Sequence, residues 1–225
     1  MPSNSLSNVL TGVLALCAVL VTIAVVKREF LPQASPTGQS LVPRHVSHWQ
    51  DLSLQGELVG PDTARVKVVE FADFQCPYCR ELYLSLETLR NRHAGRLAIL
   101  YRHFPLSIHP HAFSAAVASE CAAKQGKFEP FYRALFEHQD SIGITTWEQF
   151  AKKAGLSDVA AFDRCRSDPL IQTRVNQDAA AARSIGVAGT PVLVVRDQVV
   201  LGAMSVDSLE SWIRRVYPEF DSPQH

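Results

Sequence analysis

Val66-Lys67-Val68-Val69-Glu70-Phe71 runs through Ala72-Asp73-Phe74-Gln75 into Cys76-Pro77-Tyr78-Cys79. The first six residues form a short apolar run, interrupted by Lys67 and Glu70, of the kind that makes a buried strand. Pro77 suits the first turn of a helix, where no N–H partner is lost. Cys79, Leu82, Leu86 and Leu89 then recur at spacings of three, four and three, so a helix with one apolar face is expected over about 76–92. The two cysteines stand three apart where strand gives way to helix, and their sulfurs can meet on one side of it. Cys76 falls at the helix N-terminus, where unpaired N–H groups and the macrodipole favour a thiolate. Cys79 turns toward the core, and Cys76 at the tip is expected to reach solvent. The pair reads as a redox centre. A zinc half-site and two structural thiols are the alternatives, but tetrahedral zinc needs four ligands and the chain has no second C-x-x-C.

Outward from this segment, 96–103 reads as the next strand, and 191–195 and 198–201 as two more joined by Arg196-Asp197. A last helix is expected over about 206–217. Between 110 and 184 the pattern is helical, with Phe113, Val117 and Cys121 on one face and Phe128, Phe131, Leu135 and Phe136 supplying core. Thr145 and Glu148 have the spacing of a capping box, and Ser157 and Asp168 are candidate N-caps. Strand–helix–strand units of this order imply a central sheet covered by helices.

Ahead of the domain, 9–26 carries no charge and is mostly Val, Leu, Ala and Ile, close to the length of a bilayer core. No Lys or Arg precedes the run and Lys27-Arg28-Glu29 follows it, which favours a retained N-terminal membrane anchor over a cleaved signal peptide. The same two basic residues would place the following domain in the cytoplasm by the positive-inside rule. The cysteine content favours an extracytoplasmic domain instead, in the periplasm or at the cell exterior. The expected division is an anchor at 1–29, a Pro- and Ser-containing linker at 30–45, a domain at 46–218 with its helical insert at about 107–184, and a tail at 219–225. Trp49 is expected to pack at the domain edge. Lys and Arg together number 22, as do Asp and Glu, so no charge excess points to nucleic acid.

The segment from Phe71 to Cys79 resembles the active-site segment of the DsbA-like thiol:disulfide oxidoreductases of the thioredoxin superfamily. The resemblance continues at Arg102-His103-Phe104-Pro105-Leu106, at Cys121-Ala122-Ala123-Lys124-Gln125-Gly126-Lys127-Phe128 and at Gly186-Val187-Ala188-Gly189-Thr190-Pro191, and covers about 46–217. It implies an α/β thioredoxin-like fold, a central mixed sheet flanked by helices, with a helical insertion. It also implies roles. Cys76 is the nucleophile and Cys79 the resolving thiol. Pro77 and Tyr78 form the active-site loop. Thr190-Pro191 is a cis turn facing the pair and pairing with an extended substrate, the alternative being a trans proline that begins a strand. Glu70, an acid in an otherwise apolar strand, matches a buried acid that exchanges a proton with Cys79; its alternative is a solvated place on an edge strand. In some relatives a second disulfide ties the insert, which here would join Cys121 to Cys165, the alternative being two buried free thiols.

The implied activity is protein-disulfide exchange with thiols or disulfides of exported proteins, with no metal or organic cofactor, and with a membrane redox partner for recycling. Tyr78, in place of a charged residue, and Thr190 before the proline both fit a reductase or isomerase as the alternative direction. A non-catalytic metal-binding or assembly module is the alternative of another class; the chain's two methionines offer little to it. His109 and His111 form an H-x-H pair with no local acid to complete a metal site, and His103 is expected either to border the cysteines or to be a bystander. Cys17 sits within the apolar run.

Overall fold

The computed structural model describes residues 13–17, 19, 22, 43–53 and 55–221. The chain divides into two units, Met1–Ser40 and Leu41–His225. Of the first, the described residues are helical, and Val13, Leu14, Leu16 and Val19 are exposed. Among the described residues no helix is long and apolar enough to cross a membrane. Most of the run 9–26 and most of the linker read at 30–45 lie outside the described residues.

The second unit is built on six strands: β1 (Arg44–His45), β2 (Glu57–Val59), β3 (Val66–Ala72), β4 (Leu97–His103), β5 (Val192–Val195) and β6 (Gln198–Leu201). Their order across the sheet is β1-β6-β5-β3-β4-β2. Only β3 and β4 are parallel, joined through the helix α2 (Pro77–Arg92); all other pairs are antiparallel. The sheet takes in Arg44 and His45, so it begins ahead of the boundary expected at 46. A four-residue helix α1 (Trp49–Leu52) follows β1, with Trp49 packed at the edge of the smaller apolar layer.

Strand β3 explains the two-layer build. Val66, Val68 and Ala72 alternate with Val69 and Phe71. The first set packs with Leu82, Leu86 and Leu89 of α2 and with Trp212 and Ile213 of α8 (Val206–Val216). The second packs with Val192 and Val194 and with Ala179 and Ala182 of α7 (Pro169–Ser184). Glu70 belongs by parity to the first set, so the pleat alone directs its carboxyl into the larger core beneath α2.

Between β4 and β5 lie α3 (Ala112–Ala123), α4 (Phe128–Glu137), a 3₁₀ turn (Gln139–Ser141), α5 (Trp147–Lys153), α6 (Val159–Arg166) and α7. The capping box falls one residue later than its sequence expectation, on Thr146 and Gln149. Thr145 is instead held in a β-bridge with Ile142, which leaves Thr146 as the last extended residue before the helix. Asp158 rather than Ser157 caps α6, its carboxylate accepting from Ala161 N; Asp168 caps α7.

Cys121 of α3 and Cys165 of α6 form a disulfide, with Cα atoms 5.7 Å apart and a sequence separation of 44. Closing a loop of that length restricts the unfolded chain by about 4 kcal/mol in the chain-entropy model. Replacing both cysteines with alanine is expected to lower the unfolding midpoint by roughly 10 °C, read by calorimetry under non-reducing conditions. An unchanged midpoint would show that the bridge does not stabilise the insert.

Candidate active site

The C-x-x-C segment is positioned by the end of β3 and the start of α2. Cys76 is the N-cap, with φ −73° and ψ 121°, and Pro77 opens the helix. A turn closes from Cys76 N to Asp73 O at 3.1 Å, and Cys79 N donates to Cys76 O at 3.1 Å. Tyr78 projects outward and is 45% exposed. Cys79 is fully buried, facing the core. Cys76 departs from its expectation, because it is only 3% exposed. The segment before Pro191 covers it, and Cys76 Sγ lies 3.5 Å from Thr190 O. The Thr190–Pro191 bond is cis. Thr190's carbonyl faces Cys76, while Pro191 O is taken by Gly202 N at 2.8 Å.

The two thiols are chemically unequal. The thiol of Cys79 donates toward Cys76 and pulls the Cys76 thiol down to about 6, against the opposing effect of burial; Thr190 and the N–H groups of Cys79 and Tyr78 add to the lowering. Burial pushes Cys79 well above 9, and its role as hydrogen-bond donor to Cys76 adds to this. The N–H of Asp73 also points at Cys79 Sγ, at 3.4 Å. Both sulfurs are free thiols in the structure.

Glu70 is fully buried and neither carboxyl oxygen has a hydrogen-bond partner. Burial pushes its carboxyl up to about 8, with the negative charge of Glu87 adding to the shift. The solvated edge-strand alternative fails, since β3 lies between β4 and β5 in the middle of the sheet. A carboxyl poised near neutral pH in the same core as Cys79 can take or return a proton.

Two participants, Asp73 and Gln139, carried no role in the sequence reading, and a third, His109, was read only as half of an H-x-H pair. Asp73 accepts from Gln75 N at 2.7 Å, from Leu106 N at 2.9 Å and from His109 Nδ1 at 2.7 Å. It thereby ties the cysteine loop to the 105–111 segment. Gln139, from the 3₁₀ turn, donates to Phe74 O at 2.8 Å and Cys76 O at 3.0 Å. His109 is thus a bracket, and His111 meets the loop only through its backbone N–H on Gln75. Asp73 stood inside the quoted motif, and its proximity to Cys76 was a usable signal. Gln139, 63 residues from Cys76, had none.

His103 is buried and pairs through Nε2 with Glu120 Oε1 at 2.9 Å. Among the described residues His103, Glu120 and Asp178 are the one group whose ligand atoms could surround a metal ion. Asp178, however, already receives Arg102 at 2.7 Å, Arg174 at 2.5 Å and the N–H of His103. Two guanidiniums in place make this an ion-pair network rather than a cation site.

A groove of about 700 Å³ runs between the 104–110 segment and Val187-Ala188, lined also by Phe113 and Arg183. Phe113, on its wall, is exposed.

The model of the thioredoxin family designated Thioredoxin matches residues 53–215. The chain belongs to the thioredoxin family. A thioredoxin-like oxidoreductase from Silicibacter pomeroyi superposes with a TM-score of 0.62 at 28% identity, covering 72% of this chain and 92% of that one. The thiol-disulfide exchange protein alpha-DsbA2 from Wolbachia pipientis gives 0.63 at 22% identity, covering 76% and 92%, and shows the shared DsbA-like fold. In sequence, the chain is similar to part of the Na(+)/H(+) antiporter NhaA 1 of Mycobacterium sp. (strain KMS), 32% identical over 185 residues. The antiporter NhaA 1 of Mycolicibacterium vanbaalenii is 38% identical over 136 residues. The chain spans 29% and 22% of these two relatives' length.

Proposed function

We propose that the protein exchanges disulfides with protein thiols through Cys76 and Cys79. The observation that carries this is the split between the two thiols, Cys76 down to about 6 and Cys79 well up, at one helix tip beneath Thr190-Pro191. In the oxidising direction a substrate thiolate attacks Cys76 of the closed pair and Cys79 leaves. A second substrate thiolate then attacks its neighbour in the mixed disulfide, and Cys76 leaves as thiolate. The substrate gains one disulfide and the enzyme is left with two thiols. The groove of Phe104, Leu106, Phe113 and Val187 suits an extended polypeptide with apolar side chains.

Magnitudes favour the oxidising direction. Lowering a thiol from 9.0 to about 6 raises its thiolate fraction at pH 7 by roughly ninetyfold, while its intrinsic nucleophilicity falls by roughly twentyfold. Attack therefore gains only a few-fold, and the main gain is that Cys76 leaves more readily. A stabilised thiolate makes the disulfide the more oxidising state. The uncharged Tyr78 and the Thr190 before proline keep a reductase or isomerase as the second reading. Equilibration of the Cys76–Cys79 pair with glutathione decides between them. The expected midpoint is well on the oxidising side of thioredoxin-type reductants, and a thioredoxin-like midpoint overturns the oxidase reading.

We also infer a membrane-anchored protein with its domain outside the cytoplasm, recycled by a membrane redox partner and acting on exported proteins. The Cys121–Cys165 disulfide supports this, since structural disulfides persist in oxidising compartments. The apolar run at 9–26 supports the anchor. Alkylating cells before lysis reads the pair directly. A protected Cys121–Cys165 is expected, and free thiols at both positions would count against the placement.

A further inference from the structure

Three consecutive peptide groups carry the cysteine loop from Phe74 to Pro77, and each is fixed by a hydrogen bond. The middle one is held within the loop, where Cys76 N donates to Asp73 O at 3.1 Å. The carbonyls on either side, Phe74 O and Cys76 O, both accept from the side-chain amide of Gln139, at 2.8 and 3.0 Å. Gln139 stands 63 residues from Cys76, in the 3₁₀ turn of the helical insert. One side chain of the insert thus grips the redox loop at both ends.

The gripped carbonyl of Cys76 also starts α2, accepting from Cys79 N at 3.1 Å and Arg80 N at 3.3 Å. The N–H groups of Tyr78 and Cys79 are in turn among the donors that favour the Cys76 thiolate. Their aim depends on the tilt of the Cys76–Pro77 peptide. Pro77 has no N–H with which to anchor that peptide, so the anchor has to come through Cys76 O. Gln139 supplies it. Its donor also offsets the partial negative charge of a carbonyl that belongs to the same residue as the sulfur. The next residue, Asp140, pairs with Arg80 at 3.4 Å and ties the turn to α2 a second time. The titratable and charged groups around the loop are Tyr78, Cys79 and Arg80 of α2, Glu70 of β3, Asp73 with His109, His111, and Asp140. A substitution at Gln139 leaves all of them in place.

We propose that Gln139 is a positioning residue for Cys76: by clamping Phe74 O and Cys76 O it holds the Tyr78 and Cys79 N–H groups on the Cys76 sulfur, so the helical insert sets how readily Cys76 departs as a thiolate. This rests on the disulfide-exchange reading above and adds a residue to it. In the oxidising direction the second substrate thiolate attacks the substrate sulfur of the mixed disulfide. A disulfide forms within the substrate, the bond to Cys76 breaks, and its electron pair stays on Cys76. Gln139 acts on that charge through the loop backbone. Without its amide, Cys76 is a poorer leaving group and the closed pair a weaker oxidant.

The test uses the reduced full chain carrying Gln139→Met, which keeps a long unbranched side chain and loses the amide. The Cys76 thiolate is titrated by its ultraviolet absorbance, without turnover. Its midpoint is expected to lie about half a unit to one unit above that of the wild type, the size of one neutral hydrogen bond. The equilibrium with glutathione at pH 8 should then move roughly three- to tenfold toward the closed Cys76–Cys79 pair. Gln125→Met is the control. It removes a comparable pair of bonds inside the insert, to Asp158 O and from Asp158 N. It should lower the unfolding midpoint and leave the Cys76 titration unmoved. A Gln139→Met titration that matches wild type overturns the proposal, and so does an equal shift in Gln125→Met. A second measurement needs no variant to fold: in the wild type the Gln139 side-chain amide proton resonances should shift with the same midpoint as the Cys76 thiolate. Resonances that ignore that titration overturn the clamp. A wild-type protein without disulfide exchange would refute the function reading, and the thiol titration would still decide the role of Gln139.

Discussion

Cys76→Ser is expected to abolish disulfide exchange, with a loss of at least about a thousandfold, because a serine hydroxyl is essentially never ionised near neutral pH. Cys79→Ala should behave differently. Its Cys76 can still attack or be attacked, so mixed disulfides accumulate and can be trapped on a non-reducing gel. The same variant removes the largest influence holding Cys76 down to about 6, so the Cys76 thiol should rise toward its ordinary range. In the wild type, alkylation of reduced protein should follow the Cys76 thiolate. The rate is expected to be flat above about pH 6 and to fall tenfold per pH unit below it. A midpoint near 9, or equal reactivity of the two cysteines, would remove the basis for assigning nucleophile and resolving thiol.

Glu70→Gln should change the pH dependence of stability by several kcal/mol. Burial raises the folded-state carboxyl from 4.5 to about 8, so the folded protein holds this proton more tightly than the unfolded chain does. The stabilisation is fully present below about pH 4.5, declines between 4.5 and about 8, and is gone above that. A shift of this size corresponds to on the order of 4 kcal/mol. Glutamine carries no charge at any pH and escapes the decline. The variant's stability relative to wild type should therefore grow by that order between pH 4 and pH 9, in denaturant titrations of the oxidised protein, where the two active-site cysteines do not titrate. A constant difference across that range would show that Glu70 ionises freely in the folded state. The same substitution is expected to slow reaction at Cys79, linking the energetic burden of the buried acid to its use.

Several elements were legible because their causes are local. The β3 run, the spacing of Cys79, Leu82, Leu86 and Leu89, and Pro77 at the helix start mark strand, helix and junction without reference to any other part of the chain. The order of elements around the insert followed from the same periodicities. Strands β1 and β2, two and three residues long, were not legible, since a period of two needs more residues than that to appear. The capping residues of α5 and α6 were each displaced by one position, because neighbouring polar residues compete for the cap and tertiary pairing selects among them. At α5 the bridge of Thr145 to Ile142 makes that selection.

By itself the sequence determined where the two thiols sit on the helix and that Cys79 lies on its apolar face, and it marked Glu70 as an acid in an apolar strand without deciding between burial and a solvated edge. These depend only on helical and pleated geometry. The tertiary structure alone decided the rest. It covered Cys76 with Thr190, 114 residues away, and so made its environment one in which the hydrogen bond from Cys79 outweighs burial. It brought Gln139 onto the loop carbonyls and His109 onto Asp73. It also closed the Glu70 carboxyl in a core shared with three tyrosines from α2, β4 and α4. Ionisation and proton traffic depend on what surrounds a group in space, and those neighbours come from chain segments that no local pattern connects.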